Sequence, residues 1–105
     1  MNIIGLILVF IGAVIEVFAD IAFKWWNDRN EIHLIIVGVI LYLTGTAFWV
    51  ASLRYESFTK SGTVFLLLNI ILLTMAGLLL FKDNISDINR LGIILGIISI
   101  IMIEY

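Results

Sequence analysis

The sequence predicts an all-α membrane protein, with four transmembrane helices in a single domain over residues 1–105. Of these residues, 63% are hydrophobic and 13% are charged, and the mean hydropathy is +1.20. A soluble fold of this size buries only about 60–70% of the surface of its unfolded chain, which would leave too much apolar surface in water. The apolar residues form continuous runs, whereas a transmembrane β-barrel needs alternating ones. We therefore expect membrane-spanning helices.

Four apolar runs give the expected spans, at about residues 3–23, 32–53, 63–81 and 88–104. A helix needs about 20 residues to cross the hydrocarbon. The first three runs are long enough, whereas the fourth is continuously apolar only over residues 91–103 and must include residues 88–90 to cross. Polar residues 25–31 and 54–60 predict the breaks that follow the first and second spans.

The first span is expected to stay in the protein, because a cleaved signal peptide would carry basic residues before a shorter apolar core. No lysine or arginine precedes Lys24. Four lysine and arginine residues fall in the first and third loops, and two fall in the middle loop on the opposite side. This difference is a weak orientation signal, so insertion in both orientations is compatible with the sequence.

Two carboxylates lie within the first span, at Glu16 and Asp20. A carboxylate at mid-bilayer costs roughly 2.5–3.5 kcal/mol on insertion scales, so such groups usually serve a function. On a helical wheel Glu16 shares a face with the small residues Gly12 and Ala13, while Ile21 falls on the opposite, lipid-facing side. A proton and a cation that compete for Glu16 would couple cation export to proton entry. The alternative is a protonated carboxyl group that serves packing alone.

Asp20 has two interpretations. Lys24 follows it by four residues, a favourable spacing for an ion pair near the membrane edge. Asp20 is therefore expected either to pair with Lys24 or to join Glu16 in the site.

Aromatic and amide side chains of the next two spans are the candidate walls of the site. Tyr42 and Trp49 share one face of the second span, and Phe65 lies in the third. Aromatic rings hold cations through contacts worth roughly 0.5–2 kcal/mol each, although ordinary helix packing also explains such a face. Asn69 needs a hydrogen-bond partner at mid-membrane, either in the site or across the helix interface.

The fourth span carries a GxxxG motif, in which Gly92 and Gly96 are followed by Ser99 on the same stripe. Small residues at this spacing let two helices approach closely, so the stripe is a predicted dimer interface. A dimer would bring two Glu16 carboxylates to a shared cavity.

No cofactor, metal site or enzymatic activity is expected. The chain has no cysteine, and His33 stands alone beside Glu31. No nucleophile or second acid accompanies Glu16 in a recognisable catalytic motif. The net charge is −2, without a basic surface for nucleic acid. The expected partners are a small cation, protons and membrane lipid.

These features resemble the small multidrug resistance family, proton-coupled exporters of the drug/metabolite transporter superfamily. The likeness covers nearly the whole chain and lies in the four spans, the lone glutamate within residues 13–17 and Lys24 eight residues after Glu16. It implies a four-helix protomer in an antiparallel, dual-topology homodimer of a prokaryotic inner membrane. It also implies that Glu16 binds proton and substrate, that Tyr42 matches the family's second-helix tyrosine, and that Gly92 begins the dimer stripe.

The third span departs from the family pattern. Gly62 and Phe65 stand where the family has a tyrosine and a tryptophan, and residues 66–69 replace its glycine-rich kink. The usual proline of the middle loop is missing, Asp20 replaces a small polar residue, and Ser99 replaces a glycine of the dimer stripe.

Two further hypotheses remain open. Residues 67–69 resemble the four-helix lipid-linked sugar flippase subunits of the same superfamily, which lack the first-helix glutamate. A lipid-linked sugar or metabolite flippase subunit, paired with another chain in a heterodimer, is therefore one alternative to an exporter of small organic cations. A membrane scaffold that transports nothing is the other.

Overall fold

The computed structural model describes residues 2–104, which form four α-helices joined by short turns. The helices are α1 (Ile3–Arg29), α2 (Ile32–Ser52), α3 (Phe58–Leu80) and α4 (Asp87–Glu104). The expected all-α architecture is confirmed, and residues 1 and 105 of the predicted domain lie outside the described range. Within that range, α1, α2 and α3 are long and apolar enough to cross a membrane. The chain therefore has the helices of an integral membrane protein.

The fourth helix is weaker as a membrane span. It is 18 residues long and includes Asp87 and Arg90 in its first turn. By length and composition it is not among the described helices that could cross a membrane, and its sequence includes charged residues at both ends. The structure thus supports three of the four expected crossings on this criterion.

Helix α1 runs to Arg29, well past the predicted end of the first span at residue 23. We predicted a helix break over residues 25–31, and this prediction was wrong for residues 25–29, which are helical. The helix ends where Asn30 adopts a left-handed conformation, with φ of 55°, and donates its backbone N–H to the Trp26 carbonyl at 2.7 Å. Asparagine tolerates this conformation better than most residues, which makes it a suitable C-terminal cap.

Helix α3 begins at Phe58, five residues before the predicted start of the third span. Ser57 caps it, since the Ser57 hydroxyl accepts the backbone N–H of Lys60 at 3.2 Å. The predicted middle loop, residues 54–60, is therefore shorter than expected, because residues 58–60 belong to the helix.

Helices α1 and α2 pack as an antiparallel pair through small residues. A Cβ atom built on Gly12 would lie 2.8 Å from the carbonyl oxygen of Gly45, and one built on Gly5 would lie 3.9 Å from that of Ser52. The two contacts are seven residues apart in both helices, which is the spacing of a seam along one side of each helix. Glycine allows the backbones to approach this closely.

Helix α3 packs against another side of α1, and α4 packs against α3. The buried cluster between α1 and α3 comprises Val9, Ala13, Val64 and Phe65. Ile21, which we expected on the lipid-facing side, is only 8% exposed. This prediction was wrong because α1 has neighbours on two sides, so more of its circumference is covered than one interface would need.

Candidate functional site

Glu16 lies one helical turn after Gly12, at the closest approach of α1 and α2. Its side chain is buried, with 9% exposure. A Cβ atom on Gly45 would lie only 2.8 Å from Cγ of Glu16. The absence of a side chain at Gly45 therefore provides the space that the glutamate side chain occupies.

The two carboxyl oxygens of Glu16 bond to two different helices. The Thr46 hydroxyl on α2 lies 3.2 Å from Oε1, and the Asn69 amide on α3 donates to Oε2 at 3.0 Å. Both partners are neutral. Glu16 takes part in none of the ion pairs found among the described side chains. Its carboxyl group is thus held in place by hydrogen bonds without being neutralised by a protein cation.

A cavity of about 530 Å³ opens beside Glu16. Four aromatic side chains contribute to its wall, from Tyr42, Trp49, Phe58 and Phe65. Trp49 is central to this group, because its ring centre lies 6.1 Å from that of Phe58 and 6.3 Å from that of Phe65. Ring separations of this size are typical of interacting aromatic pairs. The cavity therefore combines one buried carboxyl group with a mostly apolar wall that includes four aromatic rings.

The structure brings together most of the residues predicted for the site. Tyr42, Trp49 and Phe65 line the same cavity as Glu16. Asn69 does not line it, yet its amide contacts the glutamate carboxyl group directly. The expected interhelical hydrogen bond of Asn69 is therefore observed, and its acceptor is the carboxyl group of Glu16.

Asp20 lies apart from this cavity. It lines a second, smaller cavity of about 210 Å³ together with Lys24 and Asp83. Lys24 forms its ion pair with Asp28, at 3.4 Å, where we expected Asp20. Because α1 continues as a helix beyond residue 24, Asp28 has the same four-residue spacing from Lys24 as Asp20 and is an equally accessible partner.

Thr46, Phe58 and Thr59 also line the larger cavity, and sequence reasoning did not select them for the site. Thr46 follows Tyr42 by four residues and so falls on the same face of α2, a signal that identifies it. Phe58 and Thr59 were assigned to the middle loop because the Ser57 cap was not recognised.

The residues of the predicted dimer stripe on α4 differ in what surrounds them. Beyond the backbone of its own helix, a Cβ atom on Gly92 would meet no described residue within 4 Å, whereas one on Gly96 would lie 3.9 Å from Cδ2 of Leu67 on α3. The Ser99 hydroxyl donates to the Leu95 carbonyl of its own helix at 2.8 Å. Gly96 therefore borders α3 of the same chain, and Gly92 stands in open space.

Fold and site together define a helical integral membrane protein with a buried carboxyl group at the wall of an aromatic cavity. Models of known protein families do not match the chain, and curated protein sequences do not match it either.

Proposed function

We propose that the protein is a proton-coupled exporter, an antiporter of small organic cations, in which Glu16 binds the proton and the substrate in turn. The observation that carries this proposal is the environment of the Glu16 carboxyl group. It is buried in a helix long enough to cross a membrane, and its hydrogen-bond partners Thr46 and Asn69 are neutral. Ionisable groups in such positions commonly serve ion or proton pathways.

Neutral donors stabilise a carboxylate and leave its charge uncompensated. The negative charge can then be compensated either by a proton on the carboxyl group or by a cation in the adjoining cavity. Because both need the same group, binding of one disfavours binding of the other, and this coupling acts equally in both directions. An inward proton gradient would thereby drive the cation outward.

The cavity wall supports an organic cation as the substrate. Tyr42, Trp49 and Phe65 present aromatic surface beside Glu16. Aromatic faces attract cations, most strongly when the cation is poorly hydrated. An organic cation is less strongly hydrated than a small alkali ion and can contact the rings directly.

The proposed assembly is an antiparallel, dual-topology homodimer in a prokaryotic inner membrane. Gly92 supports it, because a Cβ atom on this residue would lie more than 4 Å from every described residue beyond its chain neighbours and its own helix backbone. Gly96 and Ser99 continue the proposed interface. Two copies would place two Glu16 side chains in one transport pathway.

The flippase and scaffold alternatives stay predictions from the sequence. Asn69, part of the segment that suggested a flippase subunit, donates a hydrogen bond to Glu16. This contact links that segment to the glutamate that the flippase subunits lack, and therefore favours the exporter.

The proposal is tested with purified protein in liposomes that carry an internal pH indicator. Addition of an organic cation from a panel of guanidinium compounds, polyamines and quaternary ammonium compounds should move protons in the opposite direction. Glu16→Gln should abolish this proton movement. Glu31→Gln is the matched control, because it makes the same change at an exposed position between α1 and α2. Unchanged proton movement in Glu16→Gln would overturn the proposal.

A further inference from the structure

The two oxygens of the Glu16 carboxyl group have partners of different chemistry. Oε2 accepts a hydrogen bond from Nδ2 of Asn69, at a distance of 3.0 Å. An amide nitrogen donates hydrogen bonds and does not accept them, so Oε2 must be the acceptor in this contact. Oε1 faces the Thr46 hydroxyl at 3.2 Å, and a hydroxyl group can either donate or accept.

The Thr46 hydroxyl has two acceptors within hydrogen-bond distance. Besides Oε1 of Glu16, it lies 3.0 Å from the backbone carbonyl oxygen of Tyr42, one turn earlier in α2. A threonine hydroxyl carries one hydrogen, so it donates fully to only one of these oxygens at a time. Threonine hydroxyls in helices commonly bond to the carbonyl four residues before them, so this second position is readily adopted.

We infer that Oε1 is the oxygen of Glu16 that carries the exchanged proton, and that Thr46 is the positioning residue that accommodates both charge states. This inference rests on the proposed function, since it requires Glu16 to gain and lose a proton. In the charged state the Thr46 hydroxyl donates to Oε1. In the neutral state Oε1–H donates to the Thr46 oxygen, and the Thr46 hydrogen turns to the Tyr42 carbonyl.

The exchange needs only a rotation about the C–O bond of Thr46. One hydrogen bond joins Glu16 and Thr46 in both states, with its direction reversed, and the bond from Asn69 to Oε2 is the same in both. A proton added to Oε2 would instead face the Asn69 amide hydrogens, and a hydrogen bond would form again only after the whole amide group turned over. Oε1 is therefore the oxygen where a proton costs least in hydrogen bonding.

The hydrogen-bond partner of Oε1 borders the cavity, whereas the partner of Oε2 does not. Glu16 and Thr46 both line it, whereas Asn69 does not. Among ionisable groups, Asp20 follows Glu16 by one turn of α1, and Tyr42 of α2 lines the same cavity. The residues that α3 contributes to the cavity wall include no ionisable side chain. Proton and cation thus reach the carboxyl group through the cavity and past Thr46.

Infrared difference spectroscopy of the protein in detergent tests which oxygen is the carbonyl of neutral Glu16. The spectrum of wild type on acidification, minus that of Glu16→Gln, isolates the C=O stretching band of this group. If Oε2 is the carbonyl oxygen, Asn69→Leu removes its hydrogen bond and raises the band frequency. Thr46→Val should shift the band much less, since it removes a partner of the O–H group.

Thr44→Val is the matched control. The Thr44 hydroxyl makes the same kind of bond, to the Ile40 carbonyl at 2.8 Å, on an exposed part of α2 away from Glu16. It should leave both the band and cation binding unchanged. Thr46→Val should displace the pH midpoint at which an organic cation binds, and Thr46→Ser, which keeps the hydroxyl, should restore it.

The outcomes separate this inference from the proposed function. An upward shift in Thr46→Val as large as that expected for Asn69→Leu would place the carbonyl at Oε1 and overturn the inference, even if Asn69→Leu does not fold. Transport that depends on Glu16 would still stand in that case. A wild-type spectrum without a Glu16 band at any pH would overturn the proposed function, and this inference with it.

Discussion

Gly12 and Gly45 approach each other so closely that a Cβ atom on either would lie within 2.9 Å of the other's carbonyl oxygen. This contact brings α1 and α2 together at the level of Glu16. It determines which α2 residues the glutamate reaches, and Thr46, the residue after Gly45, is the one that bonds to it. The helix crossing and the site therefore depend on the same pair of glycines.

Gly45→Ala should destabilise the protein by about 1–3 kcal/mol, the usual range for overpacking a close contact. The added methyl group would clash with Gly12 and with the side chain of Glu16. Unfolding in increasing amounts of a denaturing detergent, followed by tryptophan fluorescence, measures the change.

Gly5→Ala is the control in the same helix pair. Its Cβ would lie 3.4 Å from that of Glu56, an ordinary contact. Because alanine favours a helix over glycine by about 1 kcal/mol, this variant should be neutral or slightly more stable. Equal destabilisation by both substitutions would contradict the close approach at Gly45.

Trp49→Leu should weaken binding of an aromatic or alkylated organic cation about 2- to 30-fold, which corresponds to the loss of roughly 0.5–2 kcal/mol of cation–π attraction. Trp49 contributes to the cavity wall and contacts two further rings. Trp25→Leu is the matched control, since Trp25 packs under Arg29 near the end of α1. Titration calorimetry in detergent measures both affinities, and an equal loss in the two variants would argue against an aromatic site at Trp49.

Glu56 should make the free energy of unfolding depend on pH. Its carboxylate accepts the backbone N–H of Asn2 at 2.9 Å and that of Ser57 at 3.0 Å, thereby linking the start of α1 to the turn before α3. These hydrogen bonds hold the pKa of Glu56 below its ordinary value of 4.5, and the bond from Asn2 has the largest effect. The resulting stabilisation is fully present above 4.5 and is lost as the pH falls through the lowered pKa.

Glu56→Gln removes this titration. The difference in unfolding free energy between wild type and Glu56→Gln should therefore shrink on acidification below pH 4.5. Measuring detergent unfolding of both proteins across this range checks the expectation. A difference that stays constant with pH would show that the contact of Glu56 with Asn2 does not contribute.

Asp20→Asn should leave cation binding near that of wild type. Asp20 lines a different cavity from Glu16, and Lys24 is already paired with Asp28. Binding of the same cation by Asp20→Asn and by wild type, compared at one pH, measures the effect. A loss as complete as that in Glu16→Gln would place Asp20 within the binding site.

The sequence predicts the helices better than their ends or their partners. Continuous apolar runs are sufficient for helices in lipid, whereas the ends depend on single capping residues such as Asn30 and Ser57. The faces of single helices predicted Tyr42 and Trp49 beside Glu16. Thr46 lies on the same face of α2, but its hydrogen bond to Glu16 could not be predicted because it depends on the register between α1 and α2. That register follows from the close approach of Gly12 and Gly45, which no single helix shows.

The central claim is that proton and cation share the Glu16 carboxyl group, and proton release on cation binding tests it most directly. Protein in weakly buffered detergent, at a pH where Glu16 is protonated, should acidify the solution when an organic cation is added. Asp20→Asn should do the same, and Glu16→Gln should release no protons. Undiminished release in Glu16→Gln, or cation binding to wild type without any proton release, would contradict the account.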